Sequence, residues 1–428
     1  MPEKCKYEQE YFDFASGKTK TYKCEEDAVE GGLCIFHHKT YWKEHKNEVR
    51  KKFMEKVEDA IRNKNSLLCI GYNLPEVDLS DKKFEASVYF TRAIFHEGVI
   101  FARAKFSSTV DFSFATFFSL ADFSFTEFSS EAEFNGTTFS SFAYFRETIF
   151  SSLAYAYFSD ATFKEIVSFV NLKMNKDSYI VFLSCTFEKP RLVFFAGTEI
   201  MRFLFLNTEI EKISLRNAKF NEKILKVHEL LKDPKFQFKS PISQTNYTFD
   251  DVIETYGRLR GNLERNHRFS EAGKFFIGEM EVRRTREYYE FLREHEKSKK
   301  EGFKEWLSFN LKKLYLKVYT NLISPFALYK AFSEYGESVL RPIAWSLLTI
   351  FATPILFILL GGQTSLRSFI SSYGSNLVKS FGLFAQILPV DYPPLSSVTL
   401  IEVLERLLAI LFAGLELMAL KRRLERHR

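Results

Sequence analysis

Phenylalanine recurs through the middle of the chain with a strict alternation of spacings. Successive intervals are five and six residues in turn, without a break, at Phe90, Phe95, Phe101, Phe106, Phe112, Phe117, Phe123, Phe128, Phe134, Phe139, Phe145 and Phe150. Two residues before each one stands a small or β-branched residue, such as Val88 or Ala93. Neither the 3.6-residue period of a helix nor the two-residue alternation of a strand produces this pattern.

A small residue and a phenylalanine at every fifth or sixth step predict a chain that turns a corner at each step. The phenylalanine then points to the axis, the small residue fills the remaining interior, and successive coils stack ring on ring. One coil cannot bury its own apolar face, so the coils must form a continuous stack. The 48 phenylalanines among 428 residues argue against a disordered tract, because disordered segments are poor in aromatic residues.

This pattern resembles the pentapeptide-repeat proteins, whose fold is a right-handed quadrilateral β-helix. The resemblance covers residues 79–220, and it implies a β-solenoid over that range. The alternating interval of six departs from the family's interval of five and predicts extra residues at the corners. Some members of the family mimic DNA. Between Phe84 and Phe150, however, there are eight acidic and four basic residues, so the charge is only mildly acidic and no nucleic-acid partner is expected.

The N-terminal segment, residues 1–40, carries a cluster of metal-binding residue types. Cys5, Cys24, Cys34 and His37 are spaced C-x18-C-x9-C-x2-H, and three thiolates with one imidazole can form a closed tetrahedral zinc site. We expect a structural zinc ion here; the alternative is that the cysteines are ordinary core residues. The chain has an odd number of cysteines, five in all, which favours a reducing compartment over a disulfide framework.

Helical periodicity predicts the elements on either side of the solenoid. Residues 41–78 are interpreted as a capping helix, from Trp42 to Asn63, followed by a linker. Residues 221–335 are interpreted as a helical neck, which begins with a helical hairpin that serves as a structural adaptor or a partner surface. The neck ends in the stretch from Trp306 to Leu328, where aromatic residues alternate with lysines, and this pattern predicts an interfacial helix in the lipid head-group layer.

The C-terminal segment, residues 336–428, is interpreted as a two-helix transmembrane unit. Ile343 to Leu360 contains no charge and is long enough to span a bilayer. Val398 to Leu420 is also long enough, and a polybasic tail follows it. The distribution of lysine and arginine predicts a multi-pass protein of the cell membrane with both termini in the cytoplasm. The fold class expected for the whole chain is therefore a multidomain α+β membrane protein.

The second predicted span carries acidic residues on one helical face. This face combines carboxylates with small side chains and consists of the pore-lining candidates Glu402, Glu405, Ala409, Ala413 and Glu416. A charged residue at membrane depth faces protein or water and is a functional candidate. The alternative places Glu402 and Glu405 at the outer interface and pairs Glu416 with Arg422 or Arg423.

The order of these segments resembles the two-helix tetrameric cation channels, in which a loop with an amphipathic, re-entrant-like stretch joins the two spans. Leu400–Ala409 and Ala419–Arg423 are similar to the inner helix of pentapeptide-repeat proteins that carry such a unit. The stretch 382–391 lacks a TVGYG-type filter, so the resemblance implies no potassium selectivity. Gln386 and Asp391 are the candidates for the pore mouth.

These observations predict a non-enzymatic protein, because no catalytic motif or plausible catalytic triad is present. We expect a homo-oligomer, a tetramer on the pattern of the resembling channels. Its membrane unit is channel-like and prefers cations if it conducts, and its cytoplasmic solenoid senses or binds a protein partner. The alternative is a membrane-anchored scaffold or interaction protein, whose helices only tether it to the lipid bilayer.

Overall fold

The computed structural model describes residues 3–14, 16–151, 155–175, 178–221, 247–296, 303–360, 366–385 and 397–425. The chain forms two compact units, Met1–Asn266 and His267–Arg428. The first unit contains the N-terminal module and the solenoid. In the described residues of the second unit, all regular secondary structure is helical.

Four parallel sheets form the faces of a β-solenoid of about six turns. The first face consists of Leu67–Leu68, Val88–Tyr89, Val110–Asp111, Ala132–Glu133, Tyr155–Ser159, Tyr179–Leu183 and Phe203–Leu206. The second consists of Asn73–Leu74, Ile94–Phe95, Thr116–Phe117, Thr138–Phe139, Thr162–Phe163 and Thr186–Phe187. The third consists of Val77–Asp78, Val99–Ile100, Ala121–Asp122, Ala143–Tyr144, Val167–Ser168 and Val193–Phe194. The fourth consists of Lys83–Phe84, Lys105–Phe106, Glu127–Phe128, Ile149–Phe150 and Lys173–Met174.

The regular coils are 22 residues long, which is twice the five-plus-six period of the sequence. Val88 pairs with Val110, and Val110 pairs with Ala132, in the same parallel register. All twelve phenylalanines of the ladder are buried. Rings one coil apart stack with their centroids 4.7–5.5 Å apart, close to the spacing of neighbouring strands. The parallel β-solenoid with stacked phenylalanines is consistent with a pentapeptide-repeat fold.

Every second corner is a tight turn with a residue in the left-handed region. In the first of these turns the Ala93 N–H donates to the Phe90 carbonyl at 2.9 Å, and Arg92 between them has φ 59°. The left-handed residue recurs every eleven positions, at Arg92, Arg103, Phe114, Phe125, Gly136 and Glu147. A turn of this kind favours glycine at that position, and only one of these six is glycine. The six-residue steps form the other, wider corners.

The solenoid begins earlier than the phenylalanine spacing predicts. The first coil starts at Leu67 rather than residue 79. Its interior contains Leu67, Cys69, Leu74, Val77 and Leu79, all of which are buried. Only the last face of this coil carries a phenylalanine, Phe84, which stacks on Phe106 at 5.1 Å. The coil therefore does not show the ladder in its sequence, and part of the predicted linker is solenoid. Two 3₁₀ turns, Pro190–Leu192 and Ile200–Arg202, lie among the last coils.

Helices cover both ends of the solenoid. At the N-terminal end, a hairpin of β1 (Glu8–Asp13) and β2 (Lys18–Lys23) precedes the short helix α1 (Tyr41–Glu44) and the capping helix α2 (Lys46–Asn63). At the other end lies α3 (Phe249–Arg265). There the buried Asn262 amide donates to the Ile210 and Ile213 carbonyls at 2.7 and 3.1 Å. The first helix of the predicted neck therefore belongs to the solenoid unit.

The second unit consists of α4 (Phe269–Glu296), α5 (Phe303–Val318), a π-helical turn (Tyr319–Ile323), α6 (Pro325–Ser333), α7 (Leu340–Leu360), α8 (Leu366–Phe384) and α9 (Ser397–Glu425). The single interfacial helix predicted from Trp306 to Leu328 is divided at Ser324. Pro325 cannot continue the preceding hydrogen-bond ladder, and the Ser324 hydroxyl caps α6 by accepting from the Ala327 N–H at 3.2 Å. Among the described residues, Leu340–Leu359 is the one segment long and apolar enough to cross a membrane.

Candidate metal centre and polar cluster of the helical unit

The N-terminal hairpin brings the four predicted metal ligands together. Cys5 lies just before β1 and Cys24 just after β2, so the antiparallel pairing places them side by side. Cys34 and His37 lie in one tight turn, in which the His37 N–H donates to the Cys34 carbonyl at 3.1 Å. All four residues are buried, and their ligand atoms lie within 4.8 Å of one another.

The separations within this cluster suit a tetrahedral metal ion. The Cys24 and Cys34 sulfurs are 3.7 Å apart, and the Cys5 sulfur is 3.5 Å from His37 Nδ1. Metal–sulfur bonds of about 2.3 Å and metal–nitrogen bonds of about 2.0–2.1 Å place tetrahedral ligands about 3.5–3.8 Å apart. The Cys3His cluster can therefore hold a metal ion.

The surroundings of the cluster orient its ligands. His37 Nε2 lies 2.9 Å from the Ile70 carbonyl. Nε2 must therefore carry the hydrogen, which leaves the Nδ1 lone pair directed at the sulfurs. The Tyr7 ring stacks on the imidazole at 3.9 Å. Hydrogen bonds with Cys34 and His37 lower the pKa of the Cys24 thiol, and the thiolate is the form that binds metals.

The five residues predicted to form one acidic face of the second span differ in burial in the structure. Glu402, Glu405 and Ala409 are buried on the side of α9 that packs on α7 and α8. Ala413 is exposed and Glu416 is half-buried. Arg422, one of the two partners predicted for Glu416 in the alternative interpretation, forms an ion pair with Glu337 at 3.1 Å. The predicted pore-mouth residues Gln386 and Asp391 lie outside the described residues.

Two side chains of α8 contact the buried carboxylates. Lys379 forms an ion pair with Glu402, and its ammonium lies 5.2 Å from the Phe357 ring centroid. Ser380 hydrogen-bonds with Glu405. Neither residue was among the predicted site residues, because their positions depend on how α8 packs on α7 and α9.

A proline in α7 explains why Ser380 is held there. Pro354 has no N–H, so the carbonyl four residues earlier, that of Ile350, loses its helical donor. The Ser380 hydroxyl lies 3.0 Å from that carbonyl oxygen. Ser380 therefore connects the backbone of α7 to Glu405 of α9, and a polar cluster links all three helices.

A second polar cluster joins α4 to the segment before α7. The buried Tyr335 hydroxyl donates to Glu281 at 2.5 Å, and Glu281 also pairs with Arg284 at 2.7 Å and Lys330 at 2.9 Å. Burial opposes ionisation of Glu281, but these hydrogen bonds and charges outweigh it and lower its pKa to about 2. Arg422, near the end of α9, donates to the Tyr335 carbonyl at 2.8 Å.

Comparisons with known proteins identify no relative of this chain, so the geometry described above is the evidence for its function. No family model matches the chain, no curated protein matches it significantly, and no solved structure does so either.

Proposed function

We propose that this chain is a non-enzymatic, multi-pass protein of the cell membrane with a channel-like unit and a cytoplasmic solenoid that binds a protein partner. The observation that carries the proposal is the packing of α8 on both α7 and α9, which also pack directly on each other. Lys379 and Ser380 of α8 are bonded to Glu402 and Glu405. A helix between two spans, packed on both, is the arrangement that the resemblance to two-helix cation channels implies.

The membrane topology is part of this proposal. The apolar segment Leu340–Leu359 provides one span. We assign the second to α9, whose buried carboxylates are bonded by α8 and are therefore compatible with membrane depth. Both termini lie in the cytoplasm, because the lysines and arginines concentrate on that side. The resembling channels assemble as homo-tetramers, and we propose the same assembly here.

The structure changes which residues we assign to the pore. Glu402 and Glu405 are covered by helices of their own chain, so in this proposal they hold α8 in place. A pore between subunits is lined by side chains that point away from this packing, and Ala413 and the half-buried Glu416 remain its candidates. A carboxylate along a pore attracts cations, so the proposed conduction prefers cations.

Planar-bilayer recording of the purified full chain tests this function. In a salt gradient, the reversal potential of the wild type should shift in the direction of cation preference, and Glu416→Gln should reduce that shift. Glu287→Gln is the matched control, because Glu287 is exposed on α4, and it should leave the potential unchanged. An anion-selective current contradicts the assignment of Glu416.

A membrane-anchored scaffold is the second candidate, and the surface of the solenoid favours it. Phe114, Phe118, Phe125 and Phe142 are exposed there, and aromatic side chains are common at protein interfaces. In this alternative α7 and α9 only tether the solenoid. Complete absence of current, together with capture of a protein partner that is lost in a Phe118→Ser variant, would favour the scaffold over the channel.

We propose zinc as the metal of the Cys3His cluster, in a structural role. Three thiolates and one imidazole in a closed tetrahedral set are typical of structural zinc sites. Elemental analysis of the purified chain should find about one zinc per chain, as expected for one four-ligand site. Cys34→Ser should lose that zinc, and Cys69→Ser, which changes a buried cysteine outside the cluster, should retain it. A fully folded module without metal contradicts the proposal.

A further inference from the structure

One face of α5 and the turn after it exposes a continuous row of apolar side chains. The row follows helical spacing and consists of Leu307, Leu311, Leu314, Tyr315, Val318 and Leu322; we call it the α5 stripe. At 100° per residue these six positions fall within a sector of about 100°. Their exposed fractions range from 37% to 67%, which is unusual for six neighbouring apolar residues of a water-soluble surface.

The opposite side of α5 is where the helix packs within its own unit. The Phe309 ring lies 5.2 Å from that of Phe291 on α4, and Leu316 and Thr320 are buried. Arg284 of α4 donates to the Thr320 carbonyl at 2.9 Å. Since α4 already occupies the opposite side, the α5 stripe faces outward from this unit.

The charges beside the stripe are all positive. Between Trp306 and Ile323 the sequence contains Lys312, Lys313 and Lys317 and no acidic residue. Helical geometry places Lys312 on one flank of the stripe and Lys317 on the other, roughly 100–120° from its centre. Both lysines are exposed, and the Lys312 ammonium lies 4.9 Å from the centroid of the Phe291 ring on α4. Exposed lysines at these positions can extend their ammonium groups to lipid phosphates while their alkyl stems cover apolar surface.

The stripe belongs to the same compact unit as the apolar segment Leu340–Leu359. Helix α6 links the two: its Phe332 ring lies 5.2 Å from that of Trp345 on α7, and its Ala331 carbonyl accepts from the Trp345 indole at 3.1 Å. Trp345 lies in the second turn of α7. These contacts hold α6, which follows the stripe, against the beginning of the proposed span.

From the apolar stripe, its flanking lysines and its link to the span, we propose that α5 lies flat in the head-group layer of a bilayer containing anionic phospholipids. Leu311, Leu314 and Val318 enter the acyl boundary, and Lys312 and Lys317 bind lipid phosphates. This inference rests on the proposed membrane insertion of α7 and is independent of conduction. A full chain that fails to float with vesicles removes the membrane assignment itself, whereas a silent bilayer recording leaves the α5 proposal standing.

Spin labelling of the reconstituted full chain tests the insertion. The five native cysteines are buried, so an exposed engineered cysteine can be labelled selectively. A label at Leu314→Cys should be more accessible to oxygen than to a water-soluble nickel complex in vesicles of phosphatidylcholine and phosphatidylglycerol. Glu287→Cys, exposed on α4 of the same unit, should show the reverse. Nickel access at position 314 overturns the proposal, and so does exclusion of both reagents with spin–spin broadening, which indicates contact between two copies.

Spin-labelled lipids test the choice of lipid class. The wild-type chain should immobilise spin-labelled phosphatidylglycerol in preference to spin-labelled phosphatidylcholine. This preference should fall by about fivefold for each of Lys312→Gln and Lys317→Gln, since one lysine near an anionic surface contributes about that factor. Lys312→Arg and Lys317→Arg keep the charge and should keep the preference. An unchanged preference in the glutamine variants overturns the assignment of anionic lipid to this helix.

Discussion

At the scale of single residues, the solenoid distinguishes sharply between phenylalanines that are close in sequence. The Phe123 ring is fully buried and stacks between Phe101 and Phe145 at 4.8 and 4.9 Å. Phe125, two residues later, is at the left-handed corner and is 42% exposed. The contribution of a phenylalanine to the stability of the solenoid therefore depends on its position in the coil.

This difference predicts the stability of two matched variants. Phe123→Ala should lower the free energy of unfolding by about 3–5 kcal/mol, because it leaves a cavity between the two rings that stack on Phe123. Phe125→Ala should change it by about 0.5 kcal/mol or less, as for an exposed surface residue. Chemical denaturation of both variants checks this expectation, and equal losses would contradict the inward assignment of the ladder.

Gly71 is a second residue whose position decides the effect of a substitution. Its φ is +71°, and a Cβ there would lie 2.0 Å from the Tyr7 hydroxyl oxygen. We expect Gly71→Ala to displace Tyr7 from the His37 ring and to speed metal loss to a chelator. Gly17→Ala is the control, because φ is +64° and nothing lies near its Cβ. It should carry only the backbone strain of about 1–2 kcal/mol and keep the metal as the wild type does.

At the scale of elements, α4 is held to the segment before α7 by the contacts of Glu281. The pKa of this carboxyl is lowered to about 2, from an ordinary value of 4.5. A lowered pKa means that its contribution to stability is complete above about pH 4.5 and is lost as the pH falls through about 2. The dependence of stability on pH at acidic pH therefore reports on the contacts of Glu281.

Removing the Glu281 carboxyl should make the stability of the protein less dependent on pH in this acidic range. Glu281→Gln should melt at a lower temperature than the wild type at neutral pH, because it loses the charged partner of Arg284 and Lys330. The two melting temperatures should converge as the pH falls from 4.5 to 2. Glu287→Gln, at an exposed site on the same helix, should follow the wild type throughout. Parallel curves for Glu281→Gln and the wild type would contradict the pairing.

The elements differ in how far the sequence predicts them. The phenylalanine ladder is readable because each coil uses the same side chain at the same offset. The first coil has Cys69, Leu74 and Leu79 where later coils have phenylalanine, so the phenylalanine spacing does not reveal it. The break at Ser324–Pro325 was missed because apolar residues continue on both sides of it, at Leu322, Ile323, Phe326 and Leu328.

The two candidate sites also differ in how far the sequence predicts them. Cys5, Cys24, Cys34 and His37 are predictable because metal ligands belong to few residue types and the cluster is local in sequence. The partners of Glu402 and Glu405 are not, because Lys379 and Ser380 reach them only through helix packing. A helical wheel also groups Ala413 with the acids, whereas the structure leaves Ala413 exposed.

At the scale of the whole molecule, the five cysteines should respond differently to metal removal. The pKa of the Cys69 and Cys185 thiols is raised by burial, which keeps them protonated and unreactive. Cys5, Cys24 and Cys34 are ligands in the proposed zinc site, so a bound metal would shield their sulfurs from alkylation. After chelation, mass spectrometry should find these three alkylated while the other two remain unmodified. Labelling of all five at once would indicate that the solenoid unfolds together with the module.

The in-register stacking of the coils also restricts how this chain can change in length. Each regular coil meets the next at an offset of 22 residues, so loss of one entire coil would bring equivalent positions into contact again, with Val88 against Ala132 in place of Val110. Loss of 11 residues preserves the spacing of the rings but rotates everything downstream, α3 included, by half a revolution about the solenoid axis. The solenoid can therefore grow or shrink without rearrangement only in whole revolutions, and its length is counted in turns.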